Sequence, residues 1–377
     1  MSNRIRAITD LGQAIWLDFI SRELLDSGHL KALIAEGLTG MTSNPTIFQK
    51  SIASGTEYDA PLRRLAHAGR SAFEIYDELS RTDIADAADQ LRPVFDRTGG
   101  ADGFVSLEVS PALANDTEGT IAEARRLFRA LARPNVMIKV PATQAGIPAV
   151  ATLIGEGINV NVTLIFAIAM YEQVMEAYLE GLRRLRQAGG DVRNVASVAS
   201  FFVSRVDTLV DGLLASRIQG GERGLADLPG KAAIANAKIA YRRYQEIFES
   251  PRFEEWRRLG ARVQRPLWAS TSTKNPSYPD TIYIDTLVGP NTVNTVPPQT
   301  LDAIRRRTVA TRSIDQGLDA ALATIERLER AGIRMGQVTD QLLSEGVKLF
   351  GDSFEKLLAD VEAKRAALSR GAPVAAR

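Results

Sequence analysis

Short apolar runs alternate along the chain with longer segments whose apolar positions recur every three or four residues. The short runs are rich in β-branched residues and bounded by turn residues, which is typical of strands, whereas the longer segments have the period of amphipathic helices. This pattern predicts eight strands, near residues 15–19, 40–43, 104–109, 136–140, 159–165, 196–202, 265–271 and 281–288. Strands that alternate with helices favour a parallel sheet, either doubly wound or closed into a barrel. Eight such units match the usual size of a closed barrel, and no G-x-G-x-x-G turn follows the first strand, so we predict an α/β fold of the (β/α)8 TIM barrel type.

The last part of the sequence has a different pattern. Two helical segments, 315–331 and 335–368, follow one another with no strand between them. A Gly-Asp pair at 351–352 indicates a turn or break within the second segment. We therefore expect additional C-terminal helices: a single barrel domain over residues 1–377, with residues 313–370 as a helical C-terminal appendage on the outside of the barrel.

The charges and the missing residue types narrow the classes of function. Lys and Arg total 46 against 45 Asp and Glu, so no excess charge would attract the protein to nucleic acid or to an anionic membrane. The absence of cysteine excludes disulfides and Cys-ligated metal sites and is typical of a reducing compartment. No apolar run is long enough to span a membrane, so we expect a cytoplasmic protein. His29 and His67 fall in helical segments and are expected to have no catalytic role.

Polar or ionisable residues lie at or near the ends of most predicted strands. They are Asp18, Asn44, Glu108, Lys139, Asn161, Thr163, Ser200 and Ser270. In a barrel of this kind, the carboxyl ends of the strands converge on one face, and that face holds the active site. The sequence therefore predicts that these side chains form one pocket.

Lys139 is the most informative of these residues because it lies inside a buried strand. Burial disfavours the charged form of an amine, and the neutral amine is the form that attacks a carbonyl, so Lys139 is a candidate imine-forming nucleophile. Asp18 and Glu108 would supply two carboxylates for proton transfer. The alternatives are a structural ion pair of Lys139 with Glu108 or Asp18, and a helix cap at Asp18.

Other polar residues near the strand ends fit the recognition of a phosphorylated ligand. Asn44 precedes Pro45 where a helix should begin, so it is either a substrate-binding amide or an ordinary helix cap. Arg205 begins a helix, and the Ser-Thr-Ser-Thr-Lys run at 270–274 supplies hydroxyls and an ammonium group. These groups are suited to a phosphate, although a surface position is the commoner fate of Arg and Lys.

Two motifs resemble those of the transaldolase family and are specific in combination. Gly40-Met-Thr-Ser-Asn-Pro-Thr-Ile-Phe48 is similar to the N-terminal signature of that family, and Ile138-Lys-Val-Pro-Ala-Thr143 is similar to its Schiff-base lysine strand. The similarity extends over residues 14–305, and the long C-terminal helical region resembles that of a longer-chain subgroup. The further matching segments are Gly157-Ile-Asn-Val-Asn-Val-Thr-Leu-Ile165, Ala199-Ser-Phe-Phe-Val-Ser-Arg205, Trp268-Ala-Ser-Thr-Ser-Thr-Lys-Asn275 and Asn291-Thr-Val-Asn-Thr-Val-Pro297.

The resemblance implies a (β/α)8 barrel, transaldolase activity in the non-oxidative pentose phosphate pathway, and no metal or organic cofactor. In the family reaction, Lys139 would condense with C2 of a ketose phosphate such as sedoheptulose 7-phosphate or fructose 6-phosphate. A three-carbon dihydroxyacetone unit would then pass to an aldose phosphate such as glyceraldehyde 3-phosphate or erythrose 4-phosphate.

The resemblance also implies a role for each residue. Asp18 would take the proton of the C4 hydroxyl, and Glu108 with Thr163 would hold the water that shuttles protons. The substrate would be bound by Asn44, Asn161 and Ser200 at its hydroxyls and by Arg205 and Ser270 at its phosphate.

One departure from the family pattern concerns the phosphate. Many relatives read Ser-Phe-Arg after the seventh strand, whereas this chain reads Ser270-Thr-Ser272-Thr-Lys274, so an expected arginine is absent. Lys274 is the candidate replacement, with a point charge in place of a planar, bidentate fork.

Two other functions remain open at this stage. One is a lysine-dependent aldolase on the same barrel, which would release free dihydroxyacetone. The other is a non-catalytic barrel that binds sugar phosphates, and the presence of Lys139, Asp18 and Glu108 together argues against it. The oligomeric state is open between monomer and homodimer.

Overall fold

The computed structural model describes residues 3–369, and in it the chain forms a closed barrel of eight parallel strands. Each strand pairs with its neighbours in chain order, and the first strand closes the barrel against the last. The prediction of a (β/α)8 barrel is therefore confirmed. The strands are β1 (Gln13–Asp18), β2 (Gly40–Thr42), β3 (Val105–Glu108), β4 (Val136–Pro141), β5 (Val160–Ile165), β6 (Ser197–Phe202), β7 (Arg265–Ala269) and β8 (Thr292–Val296).

Helices follow the strands and cover the outside of the barrel. Their starts are set by local sequence: Ser71 and Glu74 form a reciprocal capping box at the start of the long helix that precedes β3. The helices are α1 (Arg4–Asp10), α2 (Arg22–Asp26), α3 (His29–Glu36), α4 (Pro45–Ser54), α5 (Asp59–His67), α6 (Ala72–Arg97), α7 (Thr117–Leu131), α8 (Gly146–Gly155), α9 (Ile168–Gln187), α10 (Ser204–Gln219), α11 (Ala232–Phe248), α12 (Glu254–Arg258), α13 (Ile282–Asp285), α14 (Pro298–Arg307), α15 (Leu318–Arg330) and α16 (Met335–Ser369).

The eighth strand was predicted in the wrong place. Residues 281–288, predicted as a strand, contain the short helix α13, and β8 lies further along the chain at Thr292–Val296. Tyr283 and Ile284 are buried, and Tyr283 Oη donates a hydrogen bond of 2.7 Å to Asp207 on α10. The residues of this run are thus apolar because they are buried against helices. A short apolar segment looks the same in the sequence whether it is buried in a helix or in a sheet.

The strand β5 contains an irregularity next to the open end of the barrel. Its register against β6 shifts between Val162 and Ile165, and Leu164 has a left-handed backbone with φ of 60°. A bulge of this kind bends the strand and re-aims the side chains beside it. Thr163 lies in this irregular segment, so its direction is set by the bulge.

The C-terminal helices occupy a position that the sequence did not indicate. The predicted break at Gly351 is wrong, because α16 is continuous from Met335 to Ser369. This helix packs on α4, α5 and α6, and Leu349 and Phe350 line a cavity at the carboxyl ends of the strands. It therefore contributes to the face on which the polar residues converge. The division into one barrel domain and an appendage over residues 313–370 stays a proposal, and residues 370–377 lie outside the described part of the chain.

Candidate active site

A cavity of about 480 Å³ opens at the carboxyl ends of the strands. Eight of the ten residues predicted from the sequence line it, and the other two, Glu108 and Asn161, lie behind them. A larger groove of about 860 Å³ lies on the outer surface between α8, α9 and α11, and none of the predicted residues lines it. The predicted residues that line the cavity are Asp18, Asn44, Lys139, Thr163, Ser200, Arg205, Ser270 and Lys274.

The amine of Lys139 lies at the centre of this group. Lys139 projects from β4, and its side chain is 5% exposed. Its Nζ donates a 3.0 Å hydrogen bond to the backbone oxygen of Ser43 and lies 3.4 Å from Oε2 of Glu108 on the adjacent strand β3. The strand pairing therefore holds the amine beside a carboxylate at the base of the cavity.

Burial perturbs the two carboxylates of the site. It raises the pKa of Asp18 above the ordinary value, and the charge of Lys139 opposes that rise only in part. It likewise raises the pKa of Glu108, again against the opposing charge of Lys139. Thr42 Oγ1 donates a 2.7 Å hydrogen bond to Asp18 Oδ1 and so fixes that carboxyl. A carboxyl whose pKa is raised holds a proton more readily, so it can donate a proton as well as accept one, as general acid–base catalysis requires.

Two buried oxygen atoms near the amine have no hydrogen-bond partner within the described part of the chain. They are Oε2 of Glu108, whose nearest charged neighbour is Lys139, and Oγ1 of Thr163 on the bulged strand β5. A buried polar atom without a partner costs free energy, which a water molecule or a ligand can offset by supplying the missing hydrogen bond. Thr163, which lines the cavity, is therefore suited to contact a bound molecule, whereas Glu108 lies beside Lys139 without lining the cavity.

Asn161 and Ser200 lie differently with respect to the cavity. Asn161 is fully buried, donates a 3.0 Å hydrogen bond to Ser106 Oγ, and accepts one of 2.7 Å from Ser200 Oγ. Ser200 lines the cavity, whereas Asn161 is behind it. Asn44 was predicted to be either a helix cap or a substrate-binding amide, and its position is compatible with both. Its side chain accepts a hydrogen bond from Ile47 N at the start of α4, and it also lines the cavity.

Cations collect at the side of the cavity formed by β6 and β7. Arg205 lies at the start of α10, and Lys274 lies in the loop after β7, where its Nζ donates a 2.6 Å hydrogen bond to Ser272 Oγ. Partial burial, together with the charges of Arg205 and Lys50, lowers the pKa of Lys274 even though its side chain remains accessible to solvent. Ser270 has a left-handed backbone, and its hydroxyl lies 3.0 Å from that of Ser204. This accumulation of positive charge and hydroxyls is suited to a phosphate.

The loop that carries Lys274 is tied down by two tyrosines. Tyr278 Oη donates a 2.7 Å hydrogen bond to Asp211, and Tyr283 Oη donates one of the same length to Asp207. Both aspartates lie on α10, the helix that begins beside Arg205. Lys274 and Arg205 are therefore held by one connected framework.

Sequence reasoning missed several residues of the cavity, of which three bear on its chemistry. Thr42 was taken as part of a strand without a role, Lys50 occupies a helical position that resembles a surface lysine, and Phe350 comes from the distant helix α16. Only the hydroxyl of Thr42, one residue from a predicted strand end, gave a signal in the sequence.

The described residues contain no cluster of three or more His, Cys, Asp or Glu side chains that could hold a metal ion. In the same part of the chain, no helix combines the length and apolar character needed to cross a membrane. His29 and His67 are exposed and do not line the cavity.

Comparison with known proteins gives consistent matches over nearly the whole chain. Residues 15–361 match the model of a family described as Transaldolase/Fructose-6-phosphate aldolase. The Transaldolase of Thermobifida fusca (strain YX) is 50% identical over 369 residues, which cover 97% of this chain and 100% of that protein. The Transaldolase of Trichodesmium erythraeum (strain IMS101) is 44% identical over 97% of this chain and 98% of its own length. Transaldolase 2 of Streptomyces coelicolor is 46% identical over 98% of this chain and 100% of its own length.

Proposed function

Because the chain belongs to the transaldolase family of enzymes, we propose that it moves a dihydroxyacetone unit between sugar phosphates through a Schiff base on Lys139. The donor is a ketose phosphate, either sedoheptulose 7-phosphate or fructose 6-phosphate. The acceptor is an aldose phosphate, either glyceraldehyde 3-phosphate or erythrose 4-phosphate. This reaction belongs to the non-oxidative pentose phosphate pathway, which we assign to the cytoplasm, with the enzyme acting as a monomer or homodimer.

The observation that carries the proposal is the grouping of one buried amine, Lys139, with a buried carboxylate, Glu108, and a partly buried one, Asp18, at the carboxyl face of the barrel. Lys139 Nζ lies 3.4 Å from Glu108, and its charge also acts on Asp18. An amine next to proton donors and acceptors is the arrangement that imine formation needs. No metal or organic cofactor is required for this chemistry.

The first half of the reaction breaks a carbon–carbon bond. The amine of Lys139 adds to C2 of the ketose, and loss of water gives a protonated imine. Asp18 then takes the proton of the C4 hydroxyl, the C3–C4 bond breaks, and its electron pair moves to the imine to form an enamine. The aldose phosphate leaves, and the three-carbon unit stays covalently attached to Lys139.

The second half reverses these steps with a new acceptor. The enamine carbon attacks the aldehyde of the incoming aldose phosphate, and Asp18 returns its proton to the new hydroxyl. Glu108, whose Oε2 lies 3.4 Å from Lys139 Nζ, and Thr163, whose buried Oγ1 has no hydrogen-bond partner in the described chain, hold the water for imine formation and hydrolysis. Hydrolysis releases the product and restores the amine of Lys139.

Substrate recognition divides between the two sides of the cavity. Asn44 and Ser200 bind hydroxyls directly, and Asn161 acts through its hydrogen bond with Ser200. The phosphate is held by Arg205, Ser270 and Lys274, with Lys274 in place of the arginine found in many relatives.

A transfer assay with a matched pair of lysine variants tests the proposal. With fructose 6-phosphate and erythrose 4-phosphate, the wild-type protein should form sedoheptulose 7-phosphate, and Lys139→Met should form none. Lys231→Met, at an exposed lysine, should retain wild-type transfer. Substantial transfer by Lys139→Met would contradict the Schiff base. Rapid release of free dihydroxyacetone by the wild-type protein without an acceptor would instead favour the aldolase alternative.

A further inference from the structure

The helix α16 lies across one side of the opening of the barrel. At Gly346 this helix packs closely on the barrel, because a Cβ atom there would lie 3.0 Å from Leu164 at the bulge of β5 and 3.7 Å from Arg205 Nη1. One turn further along, Phe350 lines the cavity and is 5% exposed. The absence of a side chain at Gly346 thus lets α16 place Phe350 over the strand ends.

The ring of Phe350 faces the reacting amine. Its centroid lies 5.9 Å from Nζ of Lys139, within the range of a cation–π contact. A phenyl ring has neither a proton to donate nor a lone pair to bind water. On the side of α16, the amine is therefore covered by an apolar surface.

Several polar contacts hold α16 in this position. Thr46 Oγ1 on α4 donates a 2.9 Å hydrogen bond to Ser353 Oγ, three residues after Phe350. Gln49 on the same helix donates to Asp360, and Lys364 pairs with Asp59 on α5 at 3.2 Å. These contacts fix α16 against the helices that follow β2, so Phe350 is held over Lys139 by the folded structure itself.

The enamine formed after cleavage has two possible partners. If its carbon attacks the acceptor aldehyde, the electron pair forms a new C–C bond. If the carbon takes a proton from water, the electron pair forms a C–H bond, and the result is the imine of dihydroxyacetone. Addition of water at C2 then breaks the C–N bond and releases dihydroxyacetone and the free amine. Transfer therefore depends on keeping water away from the enamine.

We propose that Phe350 determines this partition: by covering the Schiff-base nitrogen and the enamine, it favours attack on an aldose phosphate over protonation by water. The inference rests on the proposed function and deepens it, because it assigns the distinction between transferase and aldolase to a residue outside the barrel strands. The π face of the ring also stabilises the positively charged imine.

The test measures the ratio of free dihydroxyacetone to sedoheptulose 7-phosphate formed from fructose 6-phosphate and erythrose 4-phosphate. Phe350→Ala removes the cover and should raise this ratio several-fold. Phe350→Gln keeps much of the volume but brings a polar group to the amine, and it should raise the ratio as well, so either variant suffices if the other fails to fold. Phe350→Leu keeps an apolar cover and should stay close to the wild-type ratio.

The control is Lys348→Ala, on the same helix, whose side chain is 75% exposed, pairs with Asp352 and does not line the cavity. It should keep the wild-type ratio. An unchanged ratio in both Phe350→Ala and Phe350→Gln, or an equal rise in Lys348→Ala, would overturn the role of Phe350. Failure of the proposed function is a separate result, because borohydride would then trap no adduct on Lys139 in the wild-type protein.

Discussion

Replacing Lys274 with alanine removes a cation from the side of the cavity where the phosphate is proposed to bind. Lys274 Nζ is held 2.6 Å from Ser272 Oγ, and its pKa is lowered by partial burial and by Arg205 and Lys50. An anion placed among these groups would relieve their mutual repulsion. Lys274→Ala should therefore weaken the binding of phosphorylated substrates while leaving the chemistry at Lys139 intact.

The size of the effect follows from how exposed Lys274 is. A buried hydrogen bond to a charged group contributes about 1.5–3 kcal/mol, whereas an exposed ion pair contributes about 0.2–1 kcal/mol. Lys274 lies at the solvent-accessible rim of the cavity, so a value between these classes, about 1–1.5 kcal/mol, is expected. That corresponds to a loss of about fivefold to twelvefold in kcat/KM for fructose 6-phosphate.

The assay compares kcat/KM for fructose 6-phosphate and for free fructose at a fixed concentration of acceptor. Because free fructose has no phosphate, Lys274→Ala should leave its kcat/KM unchanged. Lys274→Arg should keep the charge and retain most of the activity toward fructose 6-phosphate. An equal loss with both donors, or no loss with fructose 6-phosphate, would refute the assignment of Lys274 to the phosphate.

Three further changes test other parts of the molecule. Asp18→Asn should lower kcat by about 10²–10⁴-fold with little change in KM. Because burial raises the pKa of Asp18, the kcat/KM of the wild-type protein should fall on acidification at a higher pH than it would if Asp18 had the pKa of an ordinary carboxyl. Burial raises the pKa of Asp207 to about 6 from 3.8, so the folded state binds its proton more tightly, and this stabilisation is lost as the pH rises through about 6. In denaturant titrations, lowering the pH from about 7 to about 4 should raise the unfolding free energy of the wild-type protein by about 2 kcal/mol more than that of Asp207→Asn. Parallel pH profiles of the two proteins would contradict this. Gly103 has a φ of 88°, and a Cβ atom there would lie 2.4 Å from Phe95 N. Gly103→Ala should therefore lower the unfolding free energy by more than about 2 kcal/mol. An unchanged denaturation midpoint would contradict the close approach of the two backbones at Gly103.

The sequence predicted the barrel and the position of Lys139 because both depend on local patterns. Strands buried on both faces appear as short apolar runs, and a lysine or carboxylate at the end of such a run stands out against them. Convergence of these residues then follows from the barrel itself, whose strands present their carboxyl ends on one face. This is why Asp18, Thr163 and Ser200, distant in sequence, could be placed in one pocket.

The features that sequence reasoning missed depend on contacts between distant segments. The eighth strand was misplaced because the buried run around Tyr283 is helical and packs on α10. The helix α16 places Phe350 over the cavity because of the close packing at Gly346 and the contacts with α4. The spacing of apolar residues along α16 does not predict these contacts. Asn161 was assigned to the substrate, but it does not line the cavity and instead accepts a hydrogen bond from Ser200 on the neighbouring strand, a contact that the sequence pattern does not show.

The most direct test of the central claim is chemical trapping of the intermediate. The wild-type protein is incubated with fructose 6-phosphate and sodium borohydride, digested, and analysed by mass spectrometry. A reduced three-carbon adduct should be found on the peptide that contains Lys139, and Lys139→Met should give none. An adduct on another lysine, such as Lys50 or Lys274, or no adduct in a preparation that catalyses transfer, would contradict the Schiff base on Lys139.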